Sequence, residues 1–201
     1  AVLIVLVLGV WWWSLTSEIR RLNVEIAENK KEADRLKAVI AEGTDHILGY
    51  RSPNFVYRPP NPESKIAVLL KNYRLSDDIA FRFSNRGWTE WPLTAEKFAK
   101  WVNDVNGNGF CVNLFMDYET FGEHQWEDTG IFDFLEALPD AILSAGGGGA
   151  NDFKTPSECL DAFEPIGEFD APHAISWADT ERDLSAWLGN AMQSNAAHEL
   201  Y

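Results

Sequence analysis

Cysteine is scarce, with two residues in 201, and so is methionine, also with two. Cys111 and Cys159 cannot build a disulfide framework or a zinc site with ligand spacing, and they suit a reducing compartment. Histidine occurs only at 46, 124, 173 and 198, and none of these falls in the HExxH spacing of a zinc protease. Positive charge is short as well. Seventeen Lys+Arg stand against 31 Asp+Glu, for a net charge of −14. Phosphate contacts need a basic surface, so nucleic acid is excluded as a partner. Against these absences stand a hydrophobic content of 46% and nine Trp, five Tyr and twelve Phe. That composition excludes disorder and is enough for a real core.

The charge divides the chain. Residues 1–42 hold six Lys+Arg and six Asp+Glu, so the whole excess of acid lies in 43–201. The one long apolar run, AVLIVLVLGVWWW at 1–13, reaches roughly 20 Å as a helix, short of the ~30 Å hydrocarbon core. It reads as the second half of a transmembrane helix, with Trp11, Trp12 and Trp13 at the interface. A signal-peptide core and a buried strand are the alternatives. Leu15, Ile19, Leu22, Ile26, Asn29, Ala33, Leu36 and Ile40 then alternate steps of four and three, the seam of a coiled coil. Glu25 with Lys30, and Glu32 with Lys37, are g-to-e′ pairs suited to a parallel dimer. A lone amphipathic surface helix would show the same spacing. The sequence thus predicts a long N-terminal helix over 1–42, with membrane contact through 1–15. This segment resembles, without a sharp motif, the membrane-proximal helix of PilN-like type IV pilus assembly proteins.

Residues 43–201 read as alternating helices and strands. Ile66, Leu69, Leu70 and Tyr73 predict a helix over 64–74, and Ile79, Phe81 and Phe83 a strand over 78–84. Thr94 caps a helix on Phe98, Trp101, Val102 and Val105. Phe110–Asp117 is a second strand. Ile131, Phe134, Leu135 and Leu138 mark a helix stopped by Pro139, residues 144–158 a loop, and Leu184, Trp187, Leu188 and Ala191 a last helix opened at Asp179 or Thr180. The order implies an α/β fold, parallel strands joined by crossover helices.

The most informative stretch is FCVNLFMDYETFG, an apolar strand with acids only at its C-terminal end. In α/β barrels that end faces the active site. Asp117 and Glu119, two apart on a strand, would share a face, and Glu123, His124, Gln125 and Trp126 follow in the loop. Carboxylates beside aromatics suit carbohydrate chemistry: one acid protonates the leaving oxygen, another attacks or activates water, and flat rings stack on sugars. The bland alternative is a set of helix caps and solvated loop acids. Asp104-Val-Asn106-Gly-Asn108 opens like a calcium loop, but its twelfth position is Phe115 where a bidentate Glu is required. No metal and no cofactor are expected.

Four stretches, DHILGYRSPNFVYRP (45–59), KNYRLSDDIAFRFSNRGW (71–88), VNLFMDYETFGEHQWEDTGIFDFLEALP (112–139) and ISWADTERDLSAWLGNAMQ (175–193), resemble glycoside hydrolase family 57 in its α-amylase-like branch. The resemblance covers roughly 43–201 and implies an incomplete (β/α)7 barrel followed by helices. It also implies retaining action on α-glucans such as starch, glycogen and maltodextrins, with chain transfer in some members. It places the general acid/base on Asp117. Glu119, His124 and Trp126 would line the site, and Trp177, Asp179 and Asp183 would lie near the substrate, although Asp179 and Asp183 also fit as helix caps. The family's nucleophile is a glutamate on an earlier strand. Residues 1–42 stand in that place, and Glu119 is too close to Asp117 in the chain to flank a sugar from the other side.

The expected organisation is therefore 1–42 as truncated membrane helix and coiled coil, then 43–201 as a partial barrel of marginal stability. A domain of this composition and family resemblance is expected in the cytoplasm. Two other readings fit the sequence: a membrane-anchored scaffold with a non-catalytic appendage, and two unrelated pieces joined near Glu42-Gly43.

Overall fold

The computed structural model describes residues 18–26, 36–176 and 182–199. The chain divides into two compact units, Ala1–Lys37 and Ala38–Tyr201. In the first, residues 18–26 are helical (α1). Ile19, Leu22 and Ile26 of the expected heptad seam are exposed on it, and Arg21 pairs with Glu18 one turn back at 2.8 Å. Residues 1–17 and 27–35, which carry the expected membrane helix and the middle of the expected coiled coil, lie outside the described residues. Among the described residues no helix is long and apolar enough to cross a membrane.

The expected long N-terminal helix does not continue to residue 42. Ala38–Glu42 is a strand, β1. It pairs in parallel with β3 (Ala67–Lys71), whose other edge carries β2 (Val56–Tyr57) antiparallel, in the order β1-β3-β2. Among the described residues this small three-stranded sheet is consistent with a fragment of the kind expected, a partial (β/α)7-type barrel. A parallel pair is present, but no closed or nearly closed barrel.

β3 also corrects the helix predicted over 64–74. All five of its residues are buried. Val68 and Leu70 pack with Tyr57, Phe169 and Leu48, the last residue of the short helix α2 (Asp45–Leu48), whereas Ala67 and Leu69 pack with Val56 and Cys159. A strand covered on both faces reads as an unbroken apolar run rather than an alternating one. Gly43 lets the chain leave β1 close to β3: a Cβ there would sit 2.5 Å from the Lys71 carbonyl oxygen.

After β3 the chain turns helical at once. Asn72 caps α3 (Tyr73–Asp77), its side chain accepting the Leu75 N–H at 3.1 Å. A π-helical turn then runs over Asp78–Arg82, where a strand was expected. Ile79, Ala80 and Phe83 are buried while Phe81 is exposed, and that spacing belongs to a helix face. The Thr94 cap is as expected: its hydroxyl accepts the Lys97 N–H and opens α4 (Ala95–Asn103). α5 runs over Ile131–Ser144, straight through Pro139. The proline removes one N–H, but burial of Leu138 and Ile142 on either side keeps the last turns in place. Phe83, Phe98 and Phe134 meet edge-on at the centre of this helical core.

Within the predicted loop 144–158 a further helix begins, α6 (Pro156–Ala162), opened by a capping box between Thr155 and Glu158. α7 (Ser185–Leu188) and α8 (Ala191–Glu199) follow, in place of the single last helix.

Candidate active site

Two strand ends and a third, irregular segment come together along one rim of the sheet. Glu42, the last residue of β1, is the register partner of Lys71, the last residue of β3. Lys71 bridges in parallel to Asn113 on its other side. The segment holding Asn113 is not a regular strand, as had been expected of Phe110–Asp117, yet it is tied down over most of its length. The Phe110 and Cys111 N–H groups donate to the Asn54 carbonyl at 2.7 and 3.2 Å, and the Asn72 N–H donates to the Asn113 carbonyl at 2.9 Å. Asn113 Nδ2 donates to the Leu70 carbonyl at 3.0 Å, and the Phe115 N–H to the buried Ser76 Oγ at 3.2 Å. Leu114 and Met116 pack against the helical core. The next residue is Asp117, delivered just beyond the rim with its side chain exposed.

Tyr118–Thr120 is a 3-10 turn, with the Thr120 N–H on the Asp117 carbonyl at 3.1 Å. The strand argument that put Asp117 and Glu119 on one face therefore does not apply; Asp117 caps the turn and Glu119 is its middle residue. The Glu119 carbonyl accepts N–H bonds from Glu123 at 3.1 Å and His124 at 3.0 Å. Gly122 adopts φ 112 in the bend between them, a region closed to most side chains. Gln125 closes the turn: its N–H reaches the Thr120 carbonyl at 2.9 Å, and its buried side chain donates Nε2 to the Ala80 carbonyl at 2.9 Å. Trp126 follows, two-thirds exposed. Asp117, Glu119, His124 and Trp126 are thus presented to solvent on one short, anchored turn. Tyr118, for which the sequence carries no periodic or charge signal, is 91% exposed beside Asp117.

Of the later motif, Trp177 and Asp179 lie outside the described residues. Asp183 accepts the Ser185 N–H at 2.7 Å, and a hydrogen bond from the Ser185 side chain, more than that N–H, holds its carboxyl below the usual carboxylate range. Both bonds are local ones at the start of α7.

Beneath the rim lies a buried charge cluster with no counterpart in the sequence reading. Lys71 Nζ lies 3.5 Å from Glu42, Arg182 Nη1 lies 3.8 Å from Glu42, and Arg182 Nη2 donates to Asp77 Oδ2 at 2.8 Å. Burial pushes the Glu42 carboxyl above the ordinary glutamate range; Lys71 and Arg182 pull the other way, and Asp77 adds to the rise. The signal was present in the sequence, because AVIAE ends in an acid just as FCVNLFMD does. The heptad spacing through Ile40 concealed it. Among the described residues no group of His, Cys, Asp and Glu is placed to hold a metal ion. Asp104 and Asn106 of the calcium-like stretch are engaged by Lys100 and by Asn103 and Asn151.

The family model for Glycosyl hydrolase family 57 matches residues 22–172. The chain belongs to glycosyl hydrolase family 57. The match begins within α1 and crosses Glu42-Gly43, so the change in charge there is not the edge of the family-like region. A protein of Methanocaldococcus jannaschii named "Putative alpha-amylase" is 49% identical over 173 residues. The alignment covers 85% of this chain and 35% of that relative, so the chain spans about a third of its length. No solved structure matches the chain. The acid-bearing turn after Met116 lies inside the region that the family 57 model matches.

Proposed function

We propose that this chain carries the general acid/base region of a retaining glycoside hydrolase acting on α-1,4-glucans, of α-amylase or 4-α-glucanotransferase type. Asp117 is the acid/base. It protonates the glycosidic oxygen as the bond breaks and later takes the proton from the incoming water or sugar hydroxyl. Glu119 and His124 contact sugar hydroxyls, and Trp126 offers a flat apolar face to a glucose ring. Trp177, Asp179 and Asp183 lie near the substrate in this reading. The observation that carries the proposal is the placement of Asp117. It sits at the end of a segment aligned with the parallel strands, and its side chain is exposed on a turn held by buried bonds.

Binding and turnover test different parts of the reading. Maltoheptaose should quench or shift the tryptophan emission of the 201-residue chain, and Asp117→Asn should still bind. For turnover, residues 22–172 replace the matching stretch of the Methanocaldococcus relative. Reducing-sugar release from maltodextrin by that chimera, lost on Asp117→Asn, is the expected result. Release that survives Asp117→Asn, or no binding of maltoheptaose by the chain, overturns the proposal.

A further inference from the structure

Arg182 makes four contacts of different kinds at once. Its Nη2 is 2.8 Å from Asp77 on α3, and its Nη1 is 3.8 Å from Glu42 on β1. The guanidinium lies over the Tyr73 ring, 5.2 Å from its centroid. Its carbonyl accepts the N–H of the buried Ser176 at 3.0 Å. Its backbone sits at φ 59, a left-handed conformation that non-glycine residues adopt only where the surroundings impose it. The partners are themselves secluded, with side-chain exposures of 2% for Glu42, 5% for Lys71 and 9% for Asp77.

Two carboxylates and two cations removed from water are costly, and such a cluster contributes little net stability compared with apolar packing. What it supplies is geometry. A guanidinium is a rigid planar fork that can address two carboxylates and stack on a ring together; an ammonium is a single point and cannot. The carboxylates belong to the end of β1 and to the helix that follows β3, next to the rim from which Asp117 projects. Arg182 thus joins two chain positions, Ser176 and Arg182, to that rim.

We propose that Arg182 is a positioning residue of the sugar site, seating the backbone at Ser176 and Arg182 against the ends of β1 and β3 through Glu42 and Asp77. This rests on the α-glucan reading and adds to it a residue that acts through its neighbours rather than on the sugar. Displacement of a site element by even about 1 Å can cost two orders of magnitude in function.

The test compares maltoheptaose affinity of the 201-residue chain and its variants, followed by tryptophan emission at a temperature where thermal melts show each to be fully folded. Arg182→Lys keeps the charge and loses the fork. It should melt close to the unmodified chain and bind maltoheptaose about tenfold or more weakly. The paired variant Glu42→Gln with Asp77→Asn keeps side-chain shape and removes both anchors, and should weaken binding to a similar degree. It decides the question if Arg182→Lys proves unstable. Unchanged affinity in a folded Arg182→Lys or paired variant overturns the inference while leaving the α-glucan reading intact. Failure of the unmodified chain to bind overturns both.

Discussion

Gln125 donates its side-chain amide to the main-chain carbonyl of Ala80 at 2.9 Å. This bond joins two stretches 45 residues apart. One is the turn that presents Asp117, and the other is the π-helical turn that follows α3. Both ends are buried, so water cannot substitute for either partner.

Removing that bond should be costly. Gln125→Leu is expected to lower stability by about 1–3 kcal/mol, the usual penalty for unpairing a buried polar group. The turn would also lose its fixed place beneath Asp117. Urea denaturation of the variant measures the first effect, and an unchanged midpoint would refute it.

Glu42 gives a pH dependence whose sign is set by burial. Its folded-state pKa is raised, so the native state keeps the proton to higher pH than the unfolded chain does. Its contribution is therefore fully present below about pH 4.3 and is lost as pH rises through the folded-state value. Glu42→Gln has no proton to lose. The difference in urea midpoint between variant and unmodified chain should shift in favour of the variant as pH increases across this window. A difference that does not vary with pH counts against the argument.

Phe98 is fully buried and meets the rings of Phe134 and Trp101 at 5.9 and 6.3 Å. Phe98→Ala should cost about 3–5 kcal/mol, combining lost burial with the cavity left behind. Chemical denaturation checks the size; a loss below about 1 kcal/mol would mean that the helical core collapses around the gap.

Gly43→Ala should strain the β1–β3 junction, because the new methyl group meets the Lys71 carbonyl oxygen at 2.5 Å and Pro53 Cβ at 3.1 Å. A cost of about 1–3 kcal/mol is expected, as for other overpacked sites. Amide exchange at Ala38–Glu42 should quicken in the variant, and unchanged protection would argue that the strands separate freely there.

How much of this was legible depended on how many sides of an element are covered. α4 has one buried face and a polar cap, so its periodicity and its Thr94 start were read directly. β3 is buried on both faces, and an apolar run of that kind satisfies helical spacing as readily as a strand. The stretch 78–84 failed in the opposite sense. Ile79, Phe81 and Phe83 alternate in sequence, but exposed Phe81 belongs to no core while Ala80, a small residue, does. β1 was lost because Leu36 and Ile40 completed a heptad. The exposed acids at Asp117 and Glu119 were legible because they follow an apolar run closely. Glu42, Lys71, Asp77 and Arg182 were not, since long-range ion pairs leave no periodic trace.

The Asp77–Arg182 pair spans 105 residues of chain. During synthesis, therefore, the ribosome releases β1, β3 and α3 well before their arginine counter-charge exists. Over that interval the nascent sheet must hold Glu42 and Asp77 with Lys71 as the cation at hand, or leave its rim open to water. With Arg182 in place, two carboxylates, Glu42 and Asp77, face two cations, Lys71 and Arg182, at that rim.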